Sequence, residues 1–535
     1  MVVPARDEEA LVGSCLRALA EQDGVPHKEY EVLLVLDQCT DATEDRALEV
    51  AAEYPGLRLY LLEGPGRGAG HARRVGMEEA CKRFLSLDRP EGLIASTDAD
   101  TMVANNWLSA QLEAAARGAK AIGGRIELRD EEDLPHGVSD WRAEQGRLRQ
   151  SELLAAPDPP GEGACIQTEH WQFSGASLAL TAATYEEIGG LEPRAALEDE
   201  YLERALLMRG VPIERPLAVR VATSARTVGR AKRGLARDLA LASWVRNNTC
   251  DARGFDADNL LEKKHASETS VSALVPIKDK GHGTAALLDA LKTLAEAGFV
   301  DETVVLLPGT GDGSLIGGGV KVYRDVDLMP GFGPVRGYGD ALWRGLSAAG
   351  GDIVLFLDPS IADPEASRFL GLLGPLLSRR DLSFVKGFSA EPADGQGPEG
   401  LSELVARPLI NLYRPELAGF VDPLSAEFAG RRRLLTSLSF PAGYGAALSL
   451  LFDTAREVGI HALAQTRLGP RPKPQEVTLA DLGEAAYATL TAATARTYGD
   501  EDLDERAPGP LFLPLPGRFE SRRVAVEERP PLDSL

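Results

Sequence analysis

Two aspartates, Asp98 and Asp100, stand one residue apart directly after a short apolar run, in LIASTDAD. Carboxylates at i and i+2 beyond a strand, with a turn between them, can converge on one divalent cation and the diphosphate it carries. Taken alone, such a pair is more often a pair of solvated turn acids. Its surroundings shift that weighting. Pro4-Ala5-Arg6-Asp7-Glu8-Glu9 follows the first apolar run, where a base and ribose can meet backbone and an acid. Asp37 ends a second apolar run and can accept a hydrogen bond from a base; the plainer alternative is a helix cap or turn acid. Arg67 and Arg73 lie in GPGRGAGHARRVGM, where glycines allow close approach and arginines can pair with phosphate. Their alternative is ordinary solvated helix charge. Farther on, Glu198 and Asp199 offer a carboxylate that can deprotonate an acceptor hydroxyl, or an acid that merely complements a helix dipole.

These residues need elements that bring them together. The first four residues read as a strand, 8–21 as a helix with Leu11, Val12, Cys15, Leu16 and Leu19 on one face, and 32–36 as a buried parallel strand. A helix over 41–53, a strand over 57–62, a helix over 70–85 and a strand over 93–96 follow. This alternation predicts an α/β fold with a parallel sheet covered on both faces, its ligands at the carboxyl ends of the strands. Because the chain opens inside what reads as a core strand, that strand is expected to begin upstream.

A polar stretch near 251–269, which fits a linker or a terminal helix followed by a linker, separates this half from a second alternation that begins at VSALVPI. There the order repeats: strand ending in Pro, helix, strand, Gly-rich turn, helix, strand ending in Asp358. The expectation is two copies of one fold. The division is expected at a catalytic domain 1–255, a linker 256–270, a second domain 271–499 and an irregular tail 500–535.

Composition narrows the function. With 44% hydrophobic and 26% charged residues the chain reads as globular, and a net charge of -23 argues against a partner such as nucleic acid. Five scattered cysteines without a CxxC pair fit a reducing cytoplasm rather than disulfides or zinc. No apolar run is long enough for a membrane span.

Taken in order, the motifs of residues 1–248 resemble glycosyltransferase family 2, of GT-A fold. The resemblance makes Asp98 and Asp100 the ligands of Mg2+ or Mn2+, with Asp98 also on the donor. It makes Asp37 the base-binding acid, and places Pro4, Arg6, Asp7 and Glu8 in the first nucleotide loop. Asp199 matches the general base, with Glu198 its understudy. TSARTVGRA resembles a signature of some bacterial members, where Ser224, Arg226 and Arg230 would bind diphosphate or acceptor; an exposed basic turn is the alternative. The implied reaction is an inverting single displacement from a UDP- or GDP-sugar to a small-molecule or glycan acceptor.

In residues 271–499, the segments 339–344 (GDALWR), 351–354 (GDIV), 403–409 (ELVARPL) and 441–445 (PAGYG) resemble glucosyl-3-phosphoglycerate synthase, a retaining GT-A transferase. The reactive positions depart from it. The paired acids become Asp358-Pro359-Ser360, and the acid after the Gly-Tyr-Gly turn becomes Ala447. The metal-binding histidine becomes Lys473, the acidic first loop Lys278-Asp279-Lys280, and the phosphoglycerate-binding arginine Gly400. A catalytically degenerate second domain follows, kept for packing, homodimer formation, sensing or acceptor presentation. Two other readings stand beside this one: a glucosyl-3-phosphoglycerate synthase of compatible-solute synthesis, and a non-catalytic nucleotide-sugar-binding scaffold. A nucleotidyltransferase fits less well, because PARDEE is acidic where a phosphate cradle is needed.

Overall fold

Val2–Ala5 and Val32–Leu36 are apolar and buried almost throughout, as strands covered on both faces must be. Their alternation sends Val3 and Leu34 into a core with Trp107, and Val2, Leu33 and Val35 into another with Met77. The computed structural model describes residues 1–129, 134, 137–155, 168–194, 196–229, 234–277, 282–309, 320–359, 365–389, 399–469, 478–497, 511–515 and 518–535. Two units emerge, Met1–Arg246 and Asn247–Leu535.

The first unit has a seven-stranded sheet ordered Leu59–Glu63, Val32–Leu36, Val2–Ala5, Leu93–Ser96, Leu178–Thr181, Ala121–Gly123, Ile213–Glu214. Leu178–Thr181 runs antiparallel to both neighbours; the other pairs are parallel. The expected strands and helices are present with shifted ends. The first helix, for example, starts at Val12 because the Glu8 carbonyl accepts from Leu11 and Val12 and makes a turn first. A second, three-stranded sheet joins Thr101–Val103, Arg220–Ser224 and Arg125–Arg129, and no sequence signal announced it.

The second unit has an eight-stranded sheet. Read from one edge it runs Val320–Arg324, Glu302–Leu307, Val271–Pro276, Ile353–Phe356, Phe428–Arg431, Phe384–Phe388, Leu463–Arg467, Thr249–Asp251. Its fifth strand, Phe428–Arg431, is again antiparallel to both neighbours. Seven strands thus follow the order of the first sheet, with the same strand reversed.

Three stretches refine the expected division. The units divide at Arg246 rather than 255, because Thr249–Asp251 pairs with Leu463–Arg467 in the second sheet. The stretch 256–270 holds the helix Ala257–Ala266, capped by Asp256 and anchored through buried Leu260 and a Lys264–Asp301 ion pair of 2.8 Å. Within 500–535, Glu528–Arg529 pairs with Phe440–Pro441. Arg529 then reaches buried Asp340, donating from Nε at 2.9 Å and Nη2 at 2.5 Å beside Arg344 Nε at 3.1 Å.

Lys386 is 1% exposed on the strand Phe384–Phe388. Its Nζ reaches the Ala447 carbonyl at 3.5 Å and lies 5.5 Å from the Phe428 ring centroid. Burial lowers its pKa to about 8, against the attraction of Asp422. A depressed lysine pKa penalises the fold wherever the unfolded lysine is charged. The penalty is full below pH 8 and fades toward the unfolded value near 10.5. Lys386→Met is expected to raise stability at pH 7 by on the order of 3 kcal/mol. Urea titrations should show the gap to wild type narrowing between pH 8 and 10; a constant gap contradicts the assignment.

Candidate active site

The site begins where Leu93–Ser96 ends between a parallel and an antiparallel neighbour. Its next residues, Thr97 to Asp100, stand at the carboxyl edge of the sheet. The Asp98 carbonyl accepts from Thr101 N at 3.1 Å, closing the turn that puts both acids on one loop. Thr101–Val103 then pairs with Arg220–Ser224, which carries Thr223 and the Ser224–Arg226 segment to Asp100. Thr101 Oγ1 donates to Thr223 Oγ1 at 2.9 Å and tightens that junction.

Arg73 is the node of the site. It is 2% exposed on the helix Ala69–Ser86. Nε donates to Glu198 Oε1 at 3.0 Å, and Nη1 donates to Ser96 Oγ at 2.6 Å and the Gly175 carbonyl at 2.8 Å. Nη2 donates to Asp98 Oδ1 at 2.5 Å. Neighbouring carboxylates raise its pKa against the desolvation that opposes its charge. The expected phosphate contact is therefore corrected: this guanidinium is spent inside the protein and positions other groups. The glycines around it are steric requirements. A Cβ on Gly175 would meet Arg73 Nη2 at 2.4 Å, and one on Gly70 would meet the Arg194 carbonyl at 2.4 Å.

Glu198 and Asp199 open the helix Glu198–Met208, behind Leu197 at the left-handed φ of 61°. Such strain in a non-glycine residue is tolerated where the surroundings fix it. The turn aims Glu198 inward at Arg73, so the expected understudy base is a buried counter-ion, its pKa raised by burial and held back by Arg73. Asp199 is half-buried; Oδ2 accepts from Gly175 N at 2.9 Å and Oδ1 from Glu200 N at 3.0 Å.

Asp100 lies beside Asp98, and its side chain is 15% exposed. Burial, then repulsion from Asp98, pushes its pKa up to about 6 in spite of Arg226. Arg226 forks across Glu8, Nη1 to Oε2 at 3.1 Å and Nη2 to Oε1 at 2.8 Å, and Nη2 is also 2.8 Å from Asp100 Oδ2. Ser224 Oγ accepts from Arg226 N at 3.3 Å. Arg230 lies outside the described residues.

The remaining candidates line neighbouring loops. Pro4 is buried in the first strand opposite Val35, and Arg67 is exposed in the Gly-rich loop. Asp37 is 1% exposed and accepts from Gly66 N at 2.6 Å and Gly68 N at 3.0 Å, with Arg6 at 3.8 Å. Its present bonds shape the Gly-rich loop, and the expected base contact would have to compete with them. Asp7, at φ 48°, accepts from Thr40 N at 2.6 Å. Asp7, Cys39 and Asp41 bring ligand atoms within 4.8 Å of one another. Asp7 and Asp41 are, however, bonded to Thr40, Thr43 and Glu9 N, so they knit two loops together. In the second unit, Asp358 lies two residues beyond Ile353–Phe356, the strand corresponding to Leu93–Ser96, and Ala447 stands one residue into the helix Ala446–Val458. Gly400 opens onto free space. Lys278, Asp279, Lys280, Ser360 and Lys473 lie outside the described residues.

Losing Arg73 leaves Glu198 buried without its counter-charge. Arg73→Met is expected to lower the unfolding free energy by about 3–5 kcal/mol. Gly175→Ala should destabilise the same junction while leaving every charge in place. Chemical denaturation of both variants is the measurement, and wild-type stability in Arg73→Met would contradict the node.

The family model for glycosyl transferase family 2 matches residues 1–169. Among curated proteins, the chain is 35% identical over 287 residues to glucosyl-3-phosphoglycerate synthase of Mycolicibacterium smegmatis, covering 51% of this chain and 92% of the relative. It is 30% identical over 290 residues to that of Petrotoga mobilis, covering 51% and 89%. Among solved structures, glucosyl-3-phosphoglycerate synthase from Mycobacterium tuberculosis in complex with Mn2+, uridine diphosphate and glucosyl-3-phosphoglycerate aligns at 33% identity and a TM-score of 0.48, over 54% of this chain and 99% of that one. The chain belongs to the family of nucleotide-sugar glycosyltransferases that includes the glucosyl-3-phosphoglycerate synthases.

Proposed function

We propose that the first unit carries the chemistry: transfer of a sugar from a UDP- or GDP-sugar to the hydroxyl of a small-molecule or glycan acceptor, with inversion. The observation that carries this reading is the placement of Asp98 and Asp100 on one turn at the carboxyl edge of the sheet, opposite Asp199 on its helix. The donor set fits a divalent cation. Asp98 and Asp100 share one turn, with Arg73 bonded to the first and Arg226 to the second. Both carboxylates are hard oxygen ligands, and repulsion between Asp98 and Asp100 is what a cation relieves. Bound there, Mg2+ or Mn2+ would neutralise the departing diphosphate.

The chain's own residues supply the rest. The loops around Asp7 and Asp37 border the space for base and ribose, and Arg67 and Arg226 offer cationic contacts for phosphate. Asp199 takes the proton from the attacking hydroxyl, held by Gly175 N so that it faces the sugar. Arg73 and Glu198 position Asp98 and Asp199 through their shared bonds. The cysteines, free among the described residues, support a reducing cytoplasmic setting.

The second unit reads as a further GT-A domain, diverged at its reactive positions. Its strand order supports the fold, and Ala447 in place of an acid supports the loss of chemistry. The relatives favour one alternative, that the chain forms glucosyl-3-phosphoglycerate. A screen of UDP-, GDP- and ADP-sugars with Mg2+ or Mn2+, with and without 3-phosphoglycerate as acceptor, separates the two. Asp98→Ala is expected to lower turnover at least about 100-fold, and Asp358→Ala to leave it unchanged. Equal loss from both would show the second unit to be needed for turnover as well; loss from Asp358→Ala alone would overturn the reading.

A further inference from the structure

We propose that Arg226 is a place-holder for the metal: it bridges Glu8 and Asp100 and passes to the donor's diphosphate when cation and nucleotide bind. This rests on the metal reading of Asp98 and Asp100 above and goes beyond it by assigning a coupling role to one side chain.

The two arginines of the site are built for opposite tasks. Arg73 is 2% exposed and holds four acceptors on three chain segments, so nothing can move it without dismantling the node. Arg226 is 32% exposed, and among the described residues its guanidinium is bonded to the carboxylates of Glu8 and Asp100. Its backbone is tied separately, through Ser224 Oγ and the end of the strand Arg220–Ser224, so the side chain can swing on a fixed root.

Charge supplies the reason to swing. Asp98 and Glu8 both repel Asp100, and Arg226 is a cation that reconciles Glu8 with Asp100. A divalent ion at Asp98 and Asp100 makes that positive charge redundant there. A diphosphate beside it offers the planar fork a bidentate anion of matching geometry. Metal alone must displace Arg226 with no new partner for it; metal with nucleotide gives it one. Each ligand therefore strengthens the other by the same factor.

The test is Mn2+ binding to the full chain, followed by electron paramagnetic resonance with and without uridine diphosphate. Arg226→Gln is expected to bind Mn2+ alone roughly five- to tenfold more tightly than wild type. Adding the nucleotide should strengthen Mn2+ binding about fivefold or more in wild type and less than about twofold in Arg226→Gln. Arg226→Lys, which cannot fork across Glu8, should show an intermediate gain and serves where the glutamine variant fails to fold. No gain in Mn2+ affinity in either variant overturns the proposal, as does undiminished nucleotide enhancement. Asp100→Asn separates the two levels: weakened Mn2+ binding keeps the metal assignment whatever Arg226 does. Wild-type Mn2+ binding in Asp100→Asn sinks the metal assignment itself, and the place-holder with it.

Discussion

One buried guanidinium holds the site together. Arg73 binds the end of the strand Leu93–Ser96, the Asp98 turn, the Gly175 loop and the first residue of the helix Glu198–Met208. A charge this deep is tolerated only when paired and hydrogen-bonded on all sides, so each partner is fixed by the need to satisfy the others. The glycines at 70 and 175 follow from the same demand, since a side chain at either would press on this packed core. Asp199 inherits its place at second hand, through Gly175 on one side and Glu198 on the other.

The second unit meets the same topological problem with different chemistry. Its Gly-rich turn leads into a helix whose Asp340 is wholly buried and held by Arg344 and Arg529. Arg368 and Glu427 form another buried pair, with N–O distances of 2.8 and 2.6 Å. Where the first unit keeps charged groups near its sheet edge, here they are paired internally. That is how two sheets can share a strand order while the charged groups around them differ.

Continuous apolar runs made the strands legible: Val32–Leu36 and Leu93–Ser96 lie where the sequence places them, and with them the position of Asp98 and Asp100. Arg73 was legible only as a helix arginine, because its partners lie 23 to 125 residues away and no local pattern marks a charge that faces inward. The fork from Arg226 to Glu8 spans 218 residues and was hidden for the same reason. Polar composition left 251–269 open between a linker and a terminal helix; two inward residues, Leu260 and Lys264, seat a helix there. Short strands such as Thr101–Val103 carry too few residues to show a period.

The separation of partners along the chain also sets an order of assembly. The Arg73 node has all its parts by residue 198, whereas Asp340 waits 189 residues for Arg529. At a synthesis rate of about 5–20 residues per second, that wait is roughly 10–40 s. During it the first unit can fold as it leaves the ribosome. The second carries a carboxylate destined for full burial while, among the described residues, Arg344 is the cation already made, so that interval is the one in which its core stays incomplete.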